Sequence, residues 1–135
     1  MRILMVDDDS DILDLYQEFV NSFSAQNRIT MEILLAKDGF EALEILKNEK
    51  IDLVVTDLKM PRMDGYDLIK ATRALPTNDD SSFILVTGMI KQVESLIQEE
   101  EMDSVYVVEK PINNKKFQRL LKLYLFKSIK TETAS

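Results

Sequence analysis

Asp7, Asp8 and Asp9 stand together near the start of the sequence, Asp57 closes the apolar run Leu53 to Thr56, Thr87 follows Phe83 to Val86, and Lys110 stands just before Pro111. Brought to one place, these groups could carry out phosphoryl transfer. A carboxylate oxygen would be the nucleophile, and a hydroxyl and an ammonium would hold the equatorial oxygens over which charge spreads. Three ionised carboxylates at one spot repel one another, so they call for solvent or a compensating cation. Magnesium fits that need, because it takes oxygen ligands, keeps several waters and is commonly held by one or two carboxylates with phosphate oxygens. Asp7, Asp8 and Asp57 can supply carboxylates, whereas Lys59, itself a cation, can supply only its backbone carbonyl.

Positioning these residues requires elements that end where they stand. Short β-branched or apolar runs at Ile3 to Val6, Met31 to Leu35, Leu53 to Thr56, Phe83 to Thr87 and Val105 to Val108 read as strands, the central ones apolar enough to be buried on both faces. Between them, apolar residues recur at helical spacing: Ile12, Leu15, Tyr16, Phe19, Val20 and Phe23; Phe40, Leu43 and Leu46; Leu68, Ile69 and Thr72; Val93, Leu96 and Ile97; then Phe117, Leu120, Leu121 and Tyr124. Turn residues separate the elements at Lys37 to Gly39, Met63 to Gly65 and Pro76 to Ser82. Five strand–helix units imply a parallel sheet, since each parallel connection needs a crossover long enough for a helix. The expected fold class is α/β, a (βα)5 doubly wound domain. In such sheets ligands sit at the carboxyl ends of the strands, where the acidic tips lie.

The 135-residue length bounds the chain to one domain, expected over residues 1–127 with a short tail at 128–135. No apolar stretch reaches membrane-spanning length, and the N-terminus passes from apolar residues straight into three acids, unlike a secretory signal. A soluble cytoplasmic protein without membrane contact is expected. The absence of cysteine excludes disulfides and thiol nucleophiles, and the absence of histidine excludes Ser-His catalysis and a phosphohistidine on this chain. Acids outnumber bases 24 to 17, which does not favour direct nucleic-acid binding.

The motifs VDDD at 6–9, TDLKMPRMDG at 56–65, VTG at 86–88 and KP at 110–111 resemble, in order and spacing, the receiver domain of two-component response regulators. The resemblance covers roughly residues 2–126. It implies a flavodoxin-like five-stranded sheet of order 2-1-3-4-5, the order of a chemotaxis regulator in this family. It further implies that Asp57 accepts a phosphoryl group in a Mg2+-dependent reaction with a sensor histidine kinase or phosphotransfer protein. Asp8 would bind Mg2+ directly, Asp7 mainly through water, and Lys59 through its carbonyl. Lys110 would pair with the phosphoryl group, and Thr87 would swing toward it and hydrogen-bond. The protein would then be a signalling phosphoacceptor rather than an enzyme with an external substrate, switching its contacts with a downstream protein. One position departs from the pattern: the aromatic residue usual three places before the strand-five lysine is Val107, and alternation points Tyr106 to the opposite face.

Other readings of the same residues compete. Asp9, with Ser10 as competitor, could simply cap a helix, and Asp57 could cap the segment after it. A haloacid dehalogenase-like phosphatase would need a second acid two residues after Asp57, where Lys59 stands. The three glycines cannot form a G-x-G-x-x-G loop, and G-x-x-x-x-G-K-[ST] is absent. A receiver-like module that binds partners without phosphorylation is the main alternative. Lys115, Lys116, Arg119, Lys122, Lys127 and Lys130 form a basic segment after the acidic Glu94, Glu99, Glu100, Glu101 and Asp103. These are two solvated helix faces or, with Phe126 on the outer side, a homodimer surface through the fourth and fifth helices.

Overall fold

In a computed structural model, which describes the backbone through Ala134 and the side chains through Leu125, strands and helices alternate without interruption. The order is β1 (Arg2–Val6), α1 (Ser10–Asn27), β2 (Glu32–Ala36), α2 (Gly39–Asn48), β3 (Leu53–Asp57), α3 (Gly65–Arg73), β4 (Ser82–Thr87), α4 (Ile90–Glu99), β5 (Val105–Glu109) and α5 (Asn114–Ala134). All strand pairings are parallel and the sheet order is β2-β1-β3-β4-β5. This is the α/β arrangement that the alternation requires. The strand boundaries fall within a residue of those read from the sequence.

Strand alternation divides the core into two layers. Ile3, Met5, Val55, Ile84, Val86 and Val108 pack against α1 and α5, where Tyr16, Phe19, Phe23 and Phe117 are buried. Leu4, Val6, Val54, Phe83 and Leu85 face α2, α3 and α4, meeting Leu46, Leu68, Ile69, Val93 and Ile97. Because both faces are covered, β3 is buried along its whole length, which explains its unbroken apolar run.

The helices start where short polar side chains satisfy their first amides. Asp9, Asp38 and Asp64 accept from Asp11, Glu41 and Asp67 N–H at the starts of α1, α2 and α3, and Asn113 accepts from Lys116 N–H at the start of α5. Asp9, not Ser10, is the α1 cap. α4 differs, since Met89 precedes it without a side-chain cap.

Two positions, Leu15 and Phe40, depart from helical stripes that otherwise face the core as the sequence spacing predicts. In α1 the core position is Leu13, and Leu15 is exposed. In α2 Ala42 and Leu46 face inward, while Phe40 is exposed beneath the Arg62 guanidinium, 5.2 Å from its ring centroid. Phe126 and the side chains of Lys127 and Lys130 lie outside the described residues.

Candidate functional site

Each strand that carries a chemical group ends at the same edge of the sheet. Val6 at the tip of β1 is in register with Thr56, Asp57 with Val86, and Thr87 with Glu109. Asp7, Asp57, Thr87 and Lys110 therefore occupy four neighbouring strand ends. Backbone bonds lock this edge: Asp7 N–H donates to Ala36 O at 3.1 Å, Leu58 N–H to Val86 O at 3.0 Å, and Lys110 N–H to Thr87 O at 2.9 Å.

Asp57 is the centre of the group, with only 9% of its surface exposed. Its Oδ2 accepts from Lys110 Nζ at 2.6 Å, and its Oδ1 accepts from Lys59 N–H at the longer distance of 3.3 Å. This charge-assisted contact joins positions 53 residues apart in sequence. The contact from Lys59 is made by its backbone N–H rather than by the carbonyl expected to face a metal, and its side chain is exposed. The loop after β3 returns tightly, with Gly65 N–H donating to Leu58 O at 2.7 Å. A Cβ on Gly65 would lie 2.7 Å from Asp57 O and 2.6 Å from Leu85 Cδ1, so glycine is needed there for space.

Asp7 is buried, and Asp8 beside it is exposed. Asp7 Oδ1 accepts from Asp9 N–H at 2.9 Å. Burial, and secondarily the charges of Asp57 and Asp8, raise the Asp7 carboxyl above its ordinary range, against the opposing pull of the Asp9 amide and Lys110. Among the described residues no three acids form a ready-made metal cage, so Asp7, Asp8 and Asp57 are not already drawn into one cluster. The donor set nevertheless suits magnesium, which needs only one or two carboxylates and completes its shell with water and phosphate oxygens. Crowded negative charge at a buried carboxyl is the condition that such a cation relieves.

Thr87 is buried, and its Oγ1 accepts from Met89 N–H at 2.9 Å. That contact fixes the backbone turn leading into α4 at Met89, the residue before the helix, and leaves the first amides of α4 itself without a side-chain cap. Sequence reading assigned Thr87 to the site but missed this second contact. On β5, Tyr106 packs with the α1/α5 layer and Val107 with the α2/α3/α4 layer. The β4–β5 register runs unbroken from Phe83↔Val105 to Thr87↔Glu109, so no bulge brings Tyr106 to the face of Val107.

A model of the response regulator receiver domain matches residues 3–122. The chain belongs to this family. Among solved structures, the receiver is similar to the CheY-like response regulator receiver domain protein of Methanospirillum hungatei JF-1, with a TM-score of 0.79, 28% identity, and 96% and 97% of the two chains covered. Among curated relatives, it is 27% identical over 124 residues to sporulation initiation phosphotransferase F of Bacillus subtilis (strain 168), covering 92% of this chain and 93% of that protein. It is 37% identical over 88 residues to response regulator MprA of Mycobacterium sp. (strain KMS), covering 65% of this chain but only 35% of that protein. The matched part is thus about a third of the MprA relatives' length.

The receiver's sheet order, five helices and flavodoxin-like architecture agree with the sequence reading. Among the described residues no helix is long and apolar enough to cross a membrane.

Proposed function

We propose that this receiver accepts a phosphoryl group on Asp57 from a phosphohistidine of a sensor kinase or phosphotransfer protein. The observation that supports it most is the Asp57–Lys110 contact, which puts a cation against the nucleophile at the one edge where Asp7 and Thr87 also end. In the transfer, an Asp57 Oδ–P bond forms and the bond from phosphorus to the donor imidazole nitrogen breaks. Lys110 starts on the carboxylate and is placed to follow the charge onto a phosphoryl oxygen. Asp7 and Asp8, with the Lys59 carbonyl, would hold Mg2+. When bound, Mg2+ would neutralise charge between the carboxylates and the phosphoryl oxygens.

Phosphorylation adds a charge of about −1.5 to −2 and three acceptors beside Thr87. Turning its hydroxyl to the phosphoryl group takes the acceptor away from Met89 N–H. The turn entering α4, a helix without a side-chain cap, is therefore coupled to the state of Asp57. The contacts altered belong to the face of α4, β5 and α5, where exposed Glu94, Glu99 and Glu100 stand opposite in sign to exposed Lys115, Lys116, Arg119 and Lys122. A downstream protein or a second copy of the chain would bind there.

Incubation with Mg2+ and acetyl phosphate tests the reading. A mass gain of one phosphoryl group, absent in Asp57→Asn and abolished by EDTA, is the expected result. No gain from acetyl phosphate or from a phosphohistidine donor would favour a module that binds without phosphorylation.

A further inference from the structure

A small cavity of about 180 Å3 opens beside the phosphoacceptor on the α1 side of the sheet. Its polar lining is Asp7, Tyr16 and Lys110, and Ile12, Pro111 and Ile112 are among its apolar walls. Tyr16 belongs by spacing to the apolar stripe of α1, and its ring does pack against Phe19 and Phe117 at centroid distances of 6.3 and 5.7 Å. That packing accounts for the ring but not for the hydroxyl. A phenylalanine would fill the same aromatic cluster, and the hydroxyl of a residue only 5% exposed calls for a hydrogen-bond partner. The oxygen is not among the sealed, unsatisfied atoms of the described residues, which fits an end that opens into the cavity.

We propose that Tyr16 is a positioning residue of the phosphoacceptor site, its hydroxyl fixing a water in the cavity that in turn holds the inner carboxylate of Asp7. The cavity is large enough for water, and its three polar groups match the two to four partners that a buried water requires. The donors and acceptors also match. The phenol and the ammonium donate to the water, and the water donates to Asp7, whose Oδ1 is already engaged by Asp9 N–H. Burial first, and then the negative charges of Asp7 and Asp57, push the Tyr16 phenol far above its ordinary range, so it remains a donor at every physiological pH. Loss of a group that orients a metal's ligand through such bonds typically weakens metal binding by about 10- to 100-fold.

This inference rests on the cation-binding role proposed for Asp7 and Asp8, and its test separates the two. Tyr16→Phe keeps the ring and removes only the donor. Mg2+ affinity is measured by titration calorimetry in wild type, Tyr16→Phe and Asp8→Asn, with thermal midpoints recorded in EDTA. Tyrosine emission gives a second readout, because the sequence has no tryptophan and four tyrosines. Tyr16→Phe is expected to weaken Mg2+ binding about tenfold. It should also remove the Mg2+-dependent part of the emission and leave the EDTA midpoint near that of wild type. If wild type binds and Tyr16→Phe binds within about twofold of it, Tyr16 is only a packing residue and the inference fails alone. If wild type shows no Mg2+ binding that Asp8→Asn removes, both readings fail.

Discussion

Gly65→Ala is the substitution whose outcome the geometry constrains most tightly. None of the three glycines has a positive φ, so an added methyl is judged by space alone. At Gly65 the Cβ would come within 2.7 Å of Asp57 O and 3.2 Å of Leu58 Cα, both main-chain atoms, and within 2.6 Å of Leu85 Cδ1. Overpacking of this kind costs roughly 1–3 kcal/mol, and backbone neighbours put it in the upper part of that range. Helix propensity returns at most about 1 kcal/mol, leaving a net loss of about 1–2 kcal/mol. For a domain of this size that lowers the thermal midpoint by about 3–10 °C. The Asp57 carbonyl can relieve the clash only by shifting the residue that bears the nucleophile, so acetyl phosphate labelling should slow by about ten- to a hundredfold. Two other glycines serve as controls. Gly88→Ala meets nothing within 4 Å and should change stability by less than about 0.5 kcal/mol. Gly39→Ala meets Met63 Cγ and Cβ at 2.8 and 2.9 Å, the near end of that side chain, and should cost about 1–3 kcal/mol while leaving the labelling rate unchanged, since it touches nothing at Asp57. Differential scanning fluorimetry and a labelling time course decide the matter. A Gly65→Ala protein as stable as Gly88→Ala and labelled at the wild-type rate would refute the reasoning.

Other substitutions probe separate parts of the site and scaffold. Because burial raises the Asp7 carboxyl in the folded chain, the stability tied to its proton is present below the ordinary carboxylate range of about 4 and is lost as pH rises through the folded-state value. Asp7→Asn should therefore raise the midpoint at neutral pH in EDTA, gain nothing in strong acid, and lose the stabilisation that Mg2+ gives wild type. Lys110→Met should change stability by less than about 1 kcal/mol, since the lysine side chain is 43% exposed and its pairing is screened. Its labelling rate should fall by about a hundredfold, measured by intact mass over time. Asn78→Ala should cost about 3 kcal/mol in denaturant unfolding and leave labelling of the folded protein intact. The buried amide accepts from Ile51 N–H and Ser81 Oγ and donates to Leu46 O and Glu49 O, all away from the site.

The sequence carried the fold because β3 and β4 are covered on both sides and read as continuous apolar runs, while α3 showed Leu68, Ile69 and Thr72 on one face, all buried. It also carried the placement of the candidate side chains, since Asp57 and Thr87 end β3 and β4 and Lys110 follows β5, strands whose ends parallel pairing brings together. Alternation was enough to put Tyr106 and Val107 on opposite faces. The edges of the helical stripes were not legible. Leu13 stands three residues before Tyr16 and Leu15 four before Phe19, so each borders the stripe from a different side, and packing in the α1/α5 layer selects Leu13. Phe40 read as core because its partner, the guanidinium of Arg62, is 22 positions away and polar. Tyr16 and Asn78 passed unnoticed for a related reason. A tyrosine on an apolar stripe looks like filler, and an asparagine in a turn looks solvated, until the fold shows what their polar atoms face.

Locating the phosphoryl group within the chain tests the central claim most directly. After labelling with acetyl phosphate and Mg2+, borohydride reduces an aspartyl phosphate to homoserine, which peptide mass spectrometry can place. Homoserine is expected at position 57 and nowhere else. Label at Asp7, Asp8 or a hydroxyl residue, with Asp57 unmodified, would contradict it.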